Sequence, residues 1–190
     1  WVDTGGTKYL GLGTTLKYYV STGQNFDDIT PIRKTTTGGA TFTSASGSST
    51  ITVTDSSHGA VVDDFVTFGS TATLGTSNIT ATILDQEYQV VSVPTANTYT
   101  FIAKDTDGVT VTANATVSGG GGGSTTAAYQ INVGLDVFVE GSGWGALTWG
   151  EGTFGSVSGV SSSSQLRNWS HDNFGEDLVM NVRGGGIYYW

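Results

Sequence analysis

Two histidines and sixteen carboxylates are the residues through which this 190-residue chain can do acid–base or metal chemistry. His58 stands in the run Asp55-Ser56-Ser57-His58-Gly59, where a serine and an aspartate are neighbours in sequence. Nucleophilic catalysis needs such groups converging in space with the base oriented by the acid. Here they share one short loop of turn-forming residues, so a structural role for His58 is expected. His171-Asp172 with Glu176-Asp177 just beyond offers another cluster. A divalent cation wants three or more convergent ligands, and this spacing matches no established loop, so no metal is expected. Asp105-Thr106-Asp107-Gly108 begins like a calcium loop but lacks the later bidentate Glu, which leaves an Asx turn.

Paired carboxylates for glycoside hydrolysis are available at Asp27/Asp28, Asp63/Asp64 and Glu176/Asp177. Adjacent residues on a strand point to opposite faces, so none of these pairs addresses one substrate. No phosphate loop, dinucleotide fingerprint, zinc-protease motif or nucleophile elbow occurs. The chain is therefore read as a non-enzyme without a cofactor. Asn78-Ile-Thr, Asn114-Ala-Thr and Asn168-Trp-Ser fit the glycosylation pattern, but such triplets arise by chance in a chain this rich in Ser and Thr.

The elements that must position these groups are strands. Glycine numbers 29 and proline 2, Thr, Ser and Val abound, and no window holds a 3.6-residue apolar period. The fold class is all-β. With no cysteine, disulfides and Cys-ligated metals are excluded. No apolar run approaches the roughly 20 residues of a membrane-spanning helix. A net charge of −9 with only 7 basic residues argues against tight nucleic-acid binding, yet like charge would let DNA slide past without sticking.

Residues 166–190 organise the reading. They give an approach strand over 166–170, a polar turn over 171–175, a hairpin strand Asp177–Val182, a glycine-rich turn over 183–186 and an aromatic return strand over 187–190. Residues 9–20 hold a similar hairpin, and each ends in Tyr-Tyr followed by a large apolar residue. Two copies so far apart predict a repeated blade with an insertion between them. Residues 25–32 predict a third short strand after the first hairpin, with Pro31 at its edge or end. Residues 33–118 carry short alternating strands at 41–43, 49–54, 64–69, 87–93, 98–104 and 109–117, suited to a small sandwich or barrel. Five consecutive glycines at 119–123 read as a flexible joint. The expected organisation is thus a first blade-like segment over 1–32, an inserted domain over 33–118, a linker over 119–124 and a second blade-like segment over 125–190. The start at Trp1 and the end at Trp190 suggest a piece of a longer protein.

Aromatic residues are the candidate contact groups. Trp144, Trp149 and Phe154 recur at five-residue steps, each followed by Gly, so bends rather than a straight strand would aim their rings. With Trp169, Tyr188, Tyr189 and Trp190 they form the candidate interface or packing set, and Arg183 in the last turn is an exposed contact or solubility residue. Tryptophans can stack on sugars, and they pack equally well where glycine lets backbones approach.

The C-terminal run Leu166-Arg167-x-Trp169-Ser170-x-Asp172-x-Phe174-Gly175-Glu176-Asp177-Leu178, with Arg183-Gly184-Gly185-Gly186-Ile187-Tyr188-Tyr189-Trp190, resembles the blade motif of bacteriophage tail nozzle proteins (tail tubular protein B) and packaged-DNA stabilisation proteins. The tract from Gly143 to Gly155 and the opening Lys8-Tyr9-Leu10-x-Leu12-Gly13-Thr14 are similar too. Ile51-Thr-Val-Thr-Asp55-x-x-His58-Gly59-Ala60, Asp64-Phe65-Val66-Thr67-Phe68 and Glu87-Tyr88-Gln89-Val90 resemble a small β module of phage tail and fibre proteins. The resemblance implies a fragment of a β-propeller-like platform with an inserted small β-sandwich or barrel. It implies a virion tail protein that forms a homo-oligomeric ring, usually of six, with other tail proteins around the DNA exit channel. The alternative is a receptor- or carbohydrate-binding tail module using Trp144, Trp149 or Trp169.

Overall fold

The computed structural model describes residues 1–23, 25–134 and 167–190. The described residues form antiparallel sheets with one single-turn helix, α1 (Ala81–Leu84), and no described sheet closes into a barrel. The chain divides into two units, Trp1–Thr30 with Val133–Trp190, and Pro31–Asn132.

In the first unit, β1 (Leu10–Gly13), β2 (Tyr18–Ser21) and β3 (Phe26–Asp28) make one three-stranded sheet. Strands β13 (Trp169–Phe174), β14 (Asp177–Val182) and β15 (Ile187–Tyr189) make another, in sequence order. Tyr18, Leu178 and Met180 are buried between them, with Trp1, Ile29, Trp169 and Tyr188 packed around. Gly13 is required at its position, because a Cβ there would overlap the Trp169 indole. Residues 7–20 and 176–190 therefore belong to one body.

The expected polar turn over 171–175 is strand instead. Register runs unbroken from Trp169↔Val182 to Phe174↔Asp177, which leaves Gly175-Glu176 as the turn, with Gly175 at φ +68. The third strand stops at Asp28, whose carboxylate accepts from the Thr30 backbone at 2.9 Å and its hydroxyl at 2.5 Å and so turns the chain. Tyr18-Tyr19 lies in the middle strand of its sheet and Tyr188-Tyr189 in an edge strand, so the two Tyr-Tyr pairs are not equivalent positions.

The second unit is a sandwich. One sheet takes β5 (Thr41–Ser44), β6 (Thr50–Thr54), β9 (Ser92–Thr95), β10 (Thr98–Ile102) and β11 (Val117–Gly120) in the order β11-β5-β6-β10-β9. The other takes β4 (Ile32–Thr37), β7 (Phe65–Gly69), β8 (Glu87–Gln89) and β12 (Thr126–Gln130) in the order β4-β12-β7-β8. Alternation sends Phe42, Ile51, Val53, Tyr99 and Phe101 inward from the first sheet, and Val66, Phe68, Tyr88, Ala127 and Tyr129 from the second. Their rings interlock, with Phe42 edge-on to Phe68 at 4.9 Å and Tyr88 stacked on Phe101 at 4.1 Å. On the outer face Thr41, Thr54 and Thr98 fall in one cross-strand row and Thr43, Thr52 and Thr100 in the next. Such β-branched pairs are what suit a pleated surface.

Three expectations for this region are corrected. The strand expected over 87–93 is two strands in different sheets, because Val90 N–H donates to Asp64 on one side and Val91 N–H to Thr100 on the other. The stretch 109–117 carries only a bridge between Lys104 and Thr110 before β11 begins at Val117. The glycine run is no linker: β11 reaches Gly120, Gly121 accepts from Ala72 N–H at 2.8 Å, and Gly121 (φ +105) lies where any Cβ would overlap the Phe42 ring. The sandwich continues through β12 to Asn132.

Candidate functional site

The densest polar chemistry sits inside the sandwich. Asp55 leaves the end of β6 with its carboxylate turned inward, where Oδ2 accepts from Tyr129 Oη at 2.6 Å and Thr36 Oγ1 at 2.7 Å. Tyr99 and Tyr129 share a hydroxyl–hydroxyl bond of 3.1 Å. His58 packs against both rings, with centroids 4.8 and 6.4 Å away, and its Nδ1 accepts from Ala60 N–H at 3.0 Å. The Arg33 guanidinium lies 5.3 Å from the centre of the Tyr129 ring and 4.0 Å from Asp64. Asn132 Nδ2 donates to Asp64 Oδ2 at 2.5 Å and to the Gly59 carbonyl at 3.1 Å.

Electrostatics follow from burial. Desolvation pushes both tyrosines well above the ordinary phenol range, so they stay protonated donors. Desolvation also lowers the pKa of His58, against the pull of the Thr95 backbone and Asp55, and the nearby Arg33 and Lys34 charges add to the lowering. Asp55 is 2% exposed and His58 1%, so this acid, base and hydroxyl chain is sealed from any substrate. Its chemistry is structural. The Tyr129 and Thr36 hydroxyls reach the Asp55 carboxylate across the two sheets, which favours one arrangement of them, while His58 Nε2 and Arg33 Nη2 are buried without a hydrogen-bond partner.

The other sequence-selected carboxylates do not converge. Asp172 accepts from its own neighbour Asn173 N–H, and Glu176 accepts from Thr4 N–H at 2.7 Å, the Thr4 side chain and backbone together holding it below the usual carboxylate range. His171 meets the Tyr18 ring edge-on at 5.8 Å. Asp28 grips Lys17 at 2.7 Å, and Asp27 is paired with Val20 on the opposite face. Asp105 accepts from Asp107 and Val109 N–H, as an Asx turn does. Among the described residues no group of three His, Asp or Glu is placed to hold a metal ion.

Among the described residues the exposed aromatic side chains belong to the first unit, while the second exposes the aliphatic Ile32, Val61, Val62, Val91 and Val109. Directly paired residues share a sheet face, so Asp172, Val179 and Tyr189 form one outward row and Ser170, Asn181 and Ile187 the next. Phe174, Ile187 and Tyr189 are 80%, 75% and 83% exposed. The companion sheet turns out Leu10, Leu12, Tyr19 and Phe26, with Leu10 61% exposed. Of the candidate interface set, Trp169 packs on Tyr18 at 4.8 Å and Tyr188 is half-buried against the same core. Tyr189 is open, Trp190 is half-exposed and edge-on to Tyr9, and Arg183 is exposed in its turn. Trp144, Trp149 and Phe154 lie outside the described residues. Arg33, Asn132 and Tyr129 carry no local signal, since nothing near them in sequence points to partners up to 97 positions away.

No protein-family model matches this chain and no curated protein matches it. Among solved structures the phage phi92 endosialidase is similar at 18% identity, covering 67% of this chain and 19% of that one, with a TM-score of 0.36. The matched part is thus about a fifth of that protein, and a score of 0.36 does not establish a common fold.

Proposed function

We propose that the protein is a structural component of a tailed-phage virion, in the tail tube or nozzle, whose copies build a ring around the DNA exit channel. The observation that carries this reading is the pair of unlike sheet faces on one unit, each turning large apolar side chains outward. Contiguous exposed apolar surface marks a contact site, and two unlike faces give the head-to-tail contact from which rings are made. The run that resembles the tail-protein blade motif supports this reading, since its residues from Trp169 onward form the sheet of β13, β14 and β15 that supplies one of these faces. A charge of −9 supports a wall past which DNA moves without binding. Copies of the chain, as a ring of six, and other tail proteins are the partners this assigns. The carbohydrate-binding alternative loses Trp169 as a platform, because that ring is occupied by Tyr18.

Negative-stain microscopy of the purified chain tests the proposal. Closed rings support it. Isolated particles at every concentration, with no larger species, overturn it.

A further inference from the structure

The loop after β6 is fastened at the place where the chain enters and leaves the sandwich. Lys34 Nζ holds the Ser57 carbonyl at 2.9 Å, Asn132 holds the Gly59 carbonyl, and Arg33 Nε donates to the Gln130 carbonyl at 3.1 Å. Ile131 N–H closes the ring of contacts on the Pro31 carbonyl at 2.9 Å. His58 is the centre of this loop, and the bond from Ala60 N–H requires a bare Nδ1 lone pair. Gly59 cannot be replaced without strain, since it sits at φ +66 with Arg33 Nη1 only 3.1 Å from where a Cβ would stand.

We propose that His58 is an acid-released fastening for the entry and exit strands of the sandwich. Adding a proton to Nδ1 turns the acceptor into a second donor facing the Ala60 N–H, and the bond is lost. The new cation would lie among the Tyr99 and Tyr129 rings, with Arg33 and Lys34 of like charge nearby, and the Thr95 backbone and Asp55 favouring it do not offset the burial. A buried charge so placed is costly. The loop opens instead, and with it goes the Gly59 carbonyl that holds Asn132. The sign is definite. Because burial lowers the folded-state pKa, the fastening is intact above the unfolded histidine value of about 6.5 and is lost as pH falls below it. None of this uses the assembly surfaces of the other unit.

Amide hydrogen exchange on the full chain, corrected for intrinsic rates, tests the proposal at Ala60 and Ile131. Protection at both is expected to fall about tenfold or more between about pH 7.5 and about pH 5. In His58→Asn the side-chain oxygen accepts the same N–H without titrating, so protection should change less than about twofold. Unchanged protection in the wild type, or an equal loss in His58→Asn, overturns the proposal. Should that variant fail to fold, the ring resonances of wild-type His58 decide it. Protonation below about 6.5 together with loss of the Ala60 amide supports the fastening, and protonation at or above that value contradicts it.

Discussion

The indole Nε1–H of Trp169 donates to the Thr14 carbonyl at 2.8 Å, across 155 positions of sequence. The same ring lies over Tyr18 and carries the Arg167 guanidinium 5.6 Å from its centre. One side chain therefore joins the first hairpin to the last sheet, and it stands where Gly13 leaves room for it.

Removing that side chain should loosen the first unit alone. Trp169→Phe keeps a ring but loses the hydrogen bond, at a cost of about 1 kcal/mol. Trp169→Ala loses both and should cost about 3 kcal/mol. Calorimetry should show the transition of the first unit falling in that order while the sandwich transition stays in place. Equal effects of the two substitutions would mean that the ring contributes nothing.

The glycine run offers a sharper contrast. Gly121→Ala drives a methyl into Phe42 at a positive φ and should destabilise the sandwich by about 2 kcal/mol or more. Gly123→Ala meets nothing within 4 Å and should stay within about 0.5 kcal/mol of wild type. A free linker would tolerate both. Urea denaturation of the two variants separates these cases.

Asn78 and Asn114 each accept the other's backbone N–H on the side-chain oxygen, both at 2.9 Å. Each alanine substitution should cost about 1 kcal/mol, and the double substitution less than the sum, with a coupling of about 0.5 kcal/mol or more. Additive losses in the denaturation midpoints would show that the two bonds are independent.

Tyr129→Phe leaves Asp55 with Thr36 as its remaining hydroxyl donor and Tyr99 without its neighbour. A buried carboxylate short of a donor should cost about 1–3 kcal/mol. Thermal melting checks this, and an unchanged midpoint would remove the network's claim to hold the sheets.

Local pattern made the strands legible in the sequence, because alternation at Ile51/Val53, Val66/Phe68 and Tyr99/Phe101 reports burial on one face. The final hairpin, Asp177–Val182 with its aromatic return, was legible for the same reason. Switches between partners were not. Val90 and Val91 read as one strand, and only their divergent hydrogen bonds send them to different sheets. Glycine composition alone also misled at 119–123, where the residues serve close packing on Phe42 rather than freedom. In sequence His58 reads as a turn residue, and it does bond two positions ahead. Its company of Tyr99, Tyr129 and Arg33 comes from three separate strands, which no spacing rule reaches.

Sedimentation velocity on the full chain over about a hundredfold range of concentration tests the central claim most directly, since assembly through sheet faces follows mass action. The account predicts a species several times heavier than the 19.7 kDa chain, dispersed by Tyr189→Asp or Leu10→Asp, which place a charge in either apolar face. A single species of 19.7 kDa throughout, or an assembly indifferent to both substitutions, would contradict it.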